Sequence, residues 1–317
     1  MNEYILTNEP SIRIGFFLGV FVLVALWELA SPKRPLSTSK AGRWLANIAV
    51  VALNTLLLRL LFPAAAVGVA LFAQNHGWGL FNAIDAPLWL ALPASVVLLD
   101  FAIWLQHVMV HAIPLLWRLH RVHHADLDYD VTTGARFHPI EIVLSMLIKS
   151  CVILLLGPPL VAVVLFEILL NATAMFNHGN IHLPGALDRV LRLFVVTPDM
   201  HRVHHSVEDD ETNSNFGFNL PWWDRLFGTY RAQPRAGHLE MRTRVSLPRE
   251  RFWDIPVPKI DSPTRQPLLP RPSCAHHDSV PHIAAKLLVR NSVMMTTMTL
   301  RRVGCAICMP YVTPYRS

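Results

Sequence analysis

Residues 107–111 read His-Val-Met-Val-His, residues 120–124 read His-Arg-Val-His-His, and the second pentapeptide returns unchanged at residues 201–205. We call these segments the first, second and third histidine boxes. On a helix, residues three and four apart lie on one face, so each box is expected to present its imidazoles towards one point. Imidazole is the commonest side-chain ligand of zinc, iron, copper and nickel. Five histidines within eighteen residues, followed by a repeat of the pentapeptide, therefore predict a metal site.

The composition around the boxes indicates an integral membrane protein. Of the 317 residues, 52% are hydrophobic and only 16% are charged, and the mean hydropathy is positive. The apolar residues form blocks of membrane-spanning length, at residues 12–30, 45–74, 88–105, 142–156 and 160–176. Pro63 predicts a kink or tilt in the second block, and Gly157-Pro158-Pro159 predicts a hairpin between the last two. The predicted fold is an all-α polytopic bundle of three N-terminal spans and a helical hairpin, with a helical cap that carries the histidines.

The loop at residues 31–43 has four basic residues and no acid, which places it in the cytoplasm under the positive-inside rule. Three crossings then put the N-terminus outside and the first two boxes on the cytoplasmic side. The hairpin crosses twice, so the third box returns to the same side as the others. Membrane-flanking loops of this kind explain the net charge of +6, and no basic stripe with interleaved aromatics suggests nucleic-acid binding.

Metal-binding imidazoles are neutral, and a second group usually holds their remaining ring N–H. Asp100 shares a helical stripe with the first box, while Glu167 and Asn171 share one with His178 and His182 on the return arm of the hairpin. Ionisable residues at membrane depth are costly and usually face a functional interior. These acids and Asn171 are therefore candidate partners of the imidazoles, and the alternative is that each acid is interfacial or simply buried.

The three boxes together with His178 and His182 supply ten imidazoles, more than one metal ion can bind. The sequence therefore predicts two ions, with about five imidazoles each, or four and a water molecule. The boxes contain no acid, unlike the carboxylate sites of soluble di-iron bundles. The HExxH pattern of zinc hydrolases is also absent. A pair of redox metals at the membrane face would be well placed for O2 chemistry on a lipid.

The boxes and their flanking segments resemble the fatty acid hydroxylase/sterol desaturase superfamily of membrane di-metal oxygenases. The flanking segments are Asp100, Arg136-Phe137-His138-Pro139, Asn177-His178, Thr197-Pro198-Asp199-Met200 and residues 223–229. The resemblance covers about residues 96–230; the N-terminal spans fit in number but not by motif. One departure is Trp104, where many relatives have a smaller aromatic, and this bears on the pocket rather than on the ligand count.

The resemblance divides the chain into an N-terminal transmembrane region (1–95), a fatty acid hydroxylase-like catalytic domain (96–231) and a proline-rich tail (232–317). The tail is predicted to be disordered. An amphipathic stretch at 282–303 could instead lie on the membrane surface. His276 and His277 in the tail are given no ligand role, and the spacing of Cys305 and Cys308 is interpreted as incidental.

The same resemblance implies two non-heme iron ions, O2 as co-substrate, and hydroxylation or desaturation of a C–H bond in a sterol, fatty acid or related lipid. An external donor such as a cytochrome b5-like protein, a ferredoxin or a reductase would supply electrons. No catalytic side chain is implied beyond the metal centre. The implied ligands are His107, His111, His120, His123, His124, His201, His204 and His205, followed by His178 and His182, with His138 as a weaker ligand or supporting residue.

Two other classes of protein remain open at this point. A metal transporter would place its ligands near the middle of the bilayer, whereas these histidines sit at the ends of spans and beyond them. A non-catalytic relative would hold a structural metal with closed coordination and no open position.

Overall fold

A computed structural model describes residues 2–126 and 128–239 of the chain. The predicted tail lies outside the described residues from 240 onward, and so do His276, His277, the 282–303 stretch and the Cys305–Cys308 pair. The regular secondary structure of the described residues consists of helices, with one isolated bridge between Pro32 and Ile181. This confirms the predicted all-α class.

The α-helices are α1 (Asn2–Ala30), α2 (Lys40–Leu61), α3 (Ala65–Asn75), α4 (Leu80–Ala83), α5 (Leu88–Ala112), α6 (Pro114–His124), α7 (Pro139–Leu156), α8 (Leu160–Asn177), α9 (Gly185–Leu191), α10 (Pro198–His204), α11 (Asp209–Thr212) and α12 (Trp222–Leu226). A short 3₁₀ turn covers Thr133–Ala135. Five segments of the described chain are long and apolar enough to span a membrane: Leu6–Ala30, Lys40–Ala83, Leu88–Ala112, Pro139–Leu156 and Leu160–Asn177. The number of spans agrees with the sequence prediction.

Prolines begin the helices that carry or support the boxes. Pro114, Pro139 and Pro198 occupy the first turns of α6, α7 and α10, where the missing N–H costs nothing and the fixed φ suits a helix. Ile113 has an extended backbone between α5 and α6. The chain therefore turns there, and the second box is brought back towards the first box, which forms the last turn of α5.

The two ends of the bundle can be distinguished by their contacts. Gly157 ends α7 in the left-handed region (φ 62°), and a Cβ there would lie 2.4 Å from the carbonyl oxygen of Trp78. The hairpin turn therefore packs against the α3–α4 connection. At the opposite end, the Glu28 carboxylate accepts the N–H groups of Val131 (2.7 Å) and Asn180 (2.9 Å). The segments that follow the second box and His178 thus meet at this end of the bundle, as the predicted number of crossings required.

Charged side chains inside the bundle are paired across helices. The Glu167 carboxylate on α8 lies 2.7 Å from Lys149 Nζ on α7 and 3.0 Å from Arg13 Nη1 on α1. Outward faces of the same helices expose apolar side chains such as Leu29 on α1 and Leu155 on α7. An apolar exterior with paired charges inside is the arrangement expected for helices in lipid.

A second buried ion-pair network fixes the loop after the second box. Arg43 on α2 contacts Asp126 through Nε (2.9 Å) and Nη2 (3.0 Å), and Asp130 through Nη1 (2.8 Å). Asn47 also donates to Asp126 at 3.0 Å. The N-terminal helices, which carry no box, therefore help to position the loop between His124 and the 3₁₀ turn.

We expect Arg43→Met to destabilise the protein by about 3–5 kcal/mol, because two buried carboxylates would lose the guanidinium that pairs with both of them. Arg59→Met is the matched control, since Arg59 is exposed on the same helix; surface changes of this kind cost about 0.5 kcal/mol or less. Thermal unfolding of the purified protein in detergent compares the two variants. Equal midpoints would show that the Arg43 network does not hold this loop.

Candidate metal centre

Nine buried histidines converge in two groups at the box end of the bundle. Within each group, the candidate ligand atoms all lie within 4.8 Å of one another. The five-histidine group consists of His107, His111, His120, His124 and His204, and the four-histidine group consists of His123, His178, His201 and His205.

The second and third boxes are each divided between the two groups. In the second box, His120 and His124 belong to the five-histidine group and His123 belongs to the other. The third box has the reverse arrangement, with His204 alone in the five-histidine group. The two histidines that are four residues apart in a box share a helical face and therefore a group. The third histidine of the box points towards the other group. The expectation that each box faces one point was therefore wrong for these two boxes.

Hydrogen bonds define which ring nitrogen faces the centre of the five-histidine group. His107 Nδ1 lies 2.7 Å from the carbonyl oxygen of Phe216, and His120 Nδ1 lies 2.7 Å from Glu141 Oε1. A neutral imidazole has one N–H, so donation from Nδ1 leaves a lone pair on Nε2. The Nε2 atoms of His107 and His120 are 3.2 Å apart. Two facing lone pairs need a cation between them.

The four-histidine group has the same geometry. His178 Nδ1 donates to the Ala174 carbonyl oxygen (2.7 Å). Its Nε2 lies 3.1 Å from Nε2 of His123, 3.1 Å from Nε2 of His205 and 3.2 Å from Nε2 of His201. Metal–nitrogen bonds of about 2.1 Å place neighbouring ligands roughly 3.0 Å apart in an octahedron and 3.4 Å apart in a tetrahedron. The observed separations fall in that interval, so the donor set fits a metal ion.

Orphaned nitrogens support the same conclusion. Both ring nitrogens of His124 and Nε2 of His204 are buried without a hydrogen-bond partner among the described residues. His204 Nδ1 donates to the Ser214 carbonyl oxygen (2.8 Å), so its Nε2 carries a lone pair. A buried polar atom left unpaired costs about 1–3 kcal/mol. A bound metal ion would satisfy His204 Nε2 and one ring nitrogen of His124.

Burial also sets the protonation state of the rings. It lowers the pKa of His178 to about 3, and it lowers the pKa of His124, His204 and His205 well below the ordinary value, with nearby imidazoles adding to the shift. These rings are therefore neutral at physiological pH. The neutral imidazole is the form that binds a metal.

Glu141 is a supporting residue that the sequence analysis missed. Its carboxylate, buried in the first turn of α7, accepts from His120 and so fixes the ring's orientation. His138, which was expected to bind or support the metal, instead caps α7 by accepting the N–H of Ile140 (3.1 Å). The sequence did contain a signal for Glu141. It lies three residues after His138, the residue that caps α7, and acids are favoured in the first turn of a helix.

Gly134 allows the 3₁₀ turn to approach the four-histidine group. A Cβ at this position would lie 2.6 Å from the Ala174 carbonyl oxygen and 3.1 Å from His178 Nδ1. These two atoms form the hydrogen bond that orients His178. A side chain at residue 134 would therefore displace that bond.

The structure gives Asp100 a different role from the predicted one. Its carboxylate accepts from Trp223 Nε1 (2.8 Å) and the Leu220 N–H (3.3 Å) instead of an imidazole. Trp104 Nε1 donates to Asp224 (3.0 Å), which also accepts the Phe216 N–H (2.9 Å). Asp100 and Trp104 thus hold the loop whose Phe216 carbonyl orients His107. The stripe prediction was wrong because the third span packs this face against that loop.

The hairpin stripe is also corrected. Glu167 is engaged by Lys149 and Arg13, and Asn171 donates to the Glu167 carbonyl oxygen (2.7 Å), so neither is placed to hold an imidazole. His182 is exposed and belongs to neither group. Its backbone N–H donates to the Ser31 carbonyl oxygen (2.9 Å). The reason is that α8 ends at Asn177, so the helical spacing does not continue to His182.

A cavity of about 610 Å³ borders the five-histidine group. His107, His120 and Glu141 form part of its wall at one end, and Arg13 and Lys149 form part of its wall at the other. Much of the remaining wall is apolar and includes Ile103, Val110, Phe137, Met146 and Phe218. The five-histidine group therefore borders a cavity that is lined by residues of the spans.

The fatty acid hydroxylase family model matches residues 92–229, which include all three boxes and the loop that supports them. Over these residues the chain is similar to the fatty acid hydroxylase family, in agreement with the resemblance carried by the three boxes. The chain is 28% identical over 239 residues to an ornithine lipid hydroxylase, OlsE, from Rhizobium tropici, and the match covers 71% of this chain and 69% of that protein.

Two further relatives show how widely the matched region is shared. The chain is 29% identical over 139 residues to alkylglycerol monooxygenase from Homo sapiens, which covers 42% of this chain but only 29% of that protein. It is 26% identical over 195 residues to a very-long-chain aldehyde decarbonylase, GL1-11, from Oryza sativa subsp. indica. This match covers 59% of this chain and 73% of that protein. No solved structure is significantly similar to the chain.

Proposed function

We propose that this protein is a membrane oxidoreductase that uses two non-heme iron ions and O2 to hydroxylate or desaturate a C–H bond of a lipid. The observation that carries the proposal is the cavity of about 610 Å³, which joins the interior of the spans to His107 and His120. By their names, the relatives hydroxylate ornithine lipids, oxygenate alkylglycerols and decarbonylate very-long-chain aldehydes. Each is a lipid-like substrate that a cavity among membrane helices could admit.

The nine converging histidines are the proposed iron ligands, and His182 is left out of the set. Iron, when bound, supplies the O2 chemistry that no protein side chain can supply. The chain's own part is to hold the Nε2 lone pairs of four of these rings at the centres, those of His107, His120, His178 and His204. Glu141 and the carbonyl groups of Phe216, Ser214 and Ala174 keep the opposite ring nitrogens protonated, and burial excludes water.

The cavity wall positions the lipid. Its volume lies within the range of about 300–1,000 Å³ that is usual for small-molecule sites. Burial of an alkyl chain against Ile103, Met146 and Phe218 contributes about 0.8 kcal/mol per CH2 group. Because the cavity reaches the centre at His107 and His120, a chain threaded through it presents one C–H bond to the five-histidine group.

The geometry disfavours the two alternative classes. A transporter needs ligands along a path near the bilayer midplane, whereas the first box forms the last turn of α5 and the other boxes lie beyond the spans. A purely structural metal needs closed coordination, whereas the five-histidine group borders the cavity.

The active site is proposed to lie on the cytoplasmic side, where a donor such as a cytochrome b5-like protein, a ferredoxin or a reductase could reach it. The support for this side is the basic loop between α1 and α2, which lies at the histidine end of the bundle. Its Lys33 Nζ is 2.6 Å from Asp199 in the helix that carries the third box. Basic loops of this kind favour the cytoplasm.

Lipid profiling under heavy-isotope O2 tests the proposal. A host that expresses the intact protein should accumulate a lipid with one labelled oxygen atom, or one with an additional double bond, and a host that expresses His204→Ala should not. Identical lipid profiles in the two hosts, with the intact protein shown to contain iron, would contradict the assignment.

A further inference from the structure

The cavity wall near the metal centre carries side-chain oxygens that have no hydrogen-bond partner among the described residues. They are Asn54 Oδ1, Gln106 Oε1 and Glu141 Oε2, and all three side chains line the cavity. Gln106 adjoins the His107 ligand, and Glu141 contacts His120. Gln106 and Glu141 therefore lie beside the five-histidine group, within a wall that is otherwise largely apolar.

The orientation of Asn54 is determined by its neighbour. Its Nδ2 donates to the Phe137 carbonyl oxygen (2.9 Å), and a carbonyl can only accept. The amide oxygen is therefore the atom left free, and the residue is only 6% exposed. The Phe137 ring stacks on His123 with centroids 4.5 Å apart, which places Asn54 at the metal end of the cavity.

The free atoms of Asn54 and Glu141 are both acceptors. One is an amide oxygen, and the other belongs to a carboxylate whose Oε1 already accepts from His120. A buried acceptor without a donor is unfavourable, and the penalty is removed when a ligand brings an O–H or N–H group. A hydrocarbon chain cannot do this. A carboxylate or phosphate group would place more acceptors against these oxygens.

We propose that this end of the cavity binds an uncharged hydrogen-bond donor of a polar lipid, either a hydroxyl group or an amide N–H. The carbon that is oxidised then lies close to the lipid's polar group instead of deep in its alkyl chain. This inference rests on the proposed function, because the metal pair fixes where the reaction occurs. The same cations disfavour an ammonium group, since like charges at short range repel.

Equilibrium binding to the full chain in nanodiscs tests the inference, without reductant so that no turnover occurs. The probes are 1-O-hexadecylglycerol, its 2,3-dimethyl ether and hexadecylamine. The intact protein should bind the diol about 3–10-fold more tightly than the dimethyl ether, as expected for one or two hydrogen bonds. It should also bind the diol more tightly than the amine.

Variants locate the preference on the wall. Gln106→Met and Asn54→Leu should each reduce the preference for the diol by about threefold or more. Thr55→Val is the matched control: Thr55 lines the same cavity, but its hydroxyl donates to the Val51 carbonyl oxygen (2.8 Å). This variant should keep the preference. Metal content, measured for every variant, checks that each has folded.

Equal affinity of the intact protein for the diol and its dimethyl ether would overturn the inference and leave these oxygens as water-binding groups. An unchanged preference in both Gln106→Met and Asn54→Leu would overturn it as well, as would tighter binding of hexadecylamine. A preserved preference in a protein that forms no product would contradict the proposed function alone, so the two failures are distinguishable.

Discussion

His204→Ala is expected to lower lipid oxidation by more than about 100-fold and to remove metal from the five-histidine group. His204 reaches this group from the third box, with Nδ1 held by the Ser214 carbonyl oxygen and Nε2 directed at the other imidazoles. Even residues that only support metal ligands affect affinity or activity by about 10–100-fold. Loss of a ligand should exceed that range. Product formation and iron content of the purified variant are the two measurements.

The matched control is His182→Ala. His182 is exposed and outside both groups, although its spacing from His178 suggested a ligand. This variant should retain iron and activity, and so should His276→Ala, which lies outside the described residues. If His182→Ala lost as much iron as His204→Ala, the ligand set proposed from the two groups would be wrong.

Glu141→Ala is expected to lower iron affinity or turnover by about 10–100-fold, the usual effect of removing a partner that orients a metal-binding histidine. The His120 ring would lose the acceptor for its Nδ1–H, which lies 2.7 Å from Glu141 Oε1, and could rotate or change tautomer. Glu141→Gln should have a smaller effect, because its amide oxygen still accepts. Chelator competition and single-turnover kinetics measure the two effects separately.

Glu208→Gln serves as the control for a general loss of negative charge, since Glu208 is exposed in the loop after the third box. It should behave like the unmodified protein. Wild-type affinity and turnover in Glu141→Ala would show that the His120–Glu141 contact does not support the site.

Much of the fold follows from local sequence patterns. Apolar blocks of spanning length gave the five spans, and Gly157-Pro158-Pro159 gave the hairpin turn, because both depend only on chemistry along a short stretch. Counting the crossings then required the third box to meet the first two. The two histidine groups bear this out, because each contains histidines of the third box and of an earlier box.

The details of the site depended on tertiary contacts that spacing does not encode. Whether His123 joins His120 or His178 is decided by the helix that faces each side of α6. The Asp100 carboxylate accepts a hydrogen bond from Trp223, and the Glu167 carboxylate pairs with Lys149 and Arg13. The end of α8 at Asn177 removes His182 from the stripe. Helical periodicity named the nine histidines that converge in the two groups, but it also named His182, which does not, and it could not assign partners.

The central claim is that nine histidines from distant parts of the chain hold two iron ions. The most direct test is the metal content of the full chain, purified from a host supplied with iron and zinc. The account predicts about two iron atoms per chain. Replacing ligands in both groups should lower the iron content at both. A single zinc atom per chain, or no bound metal in a folded protein, would contradict it.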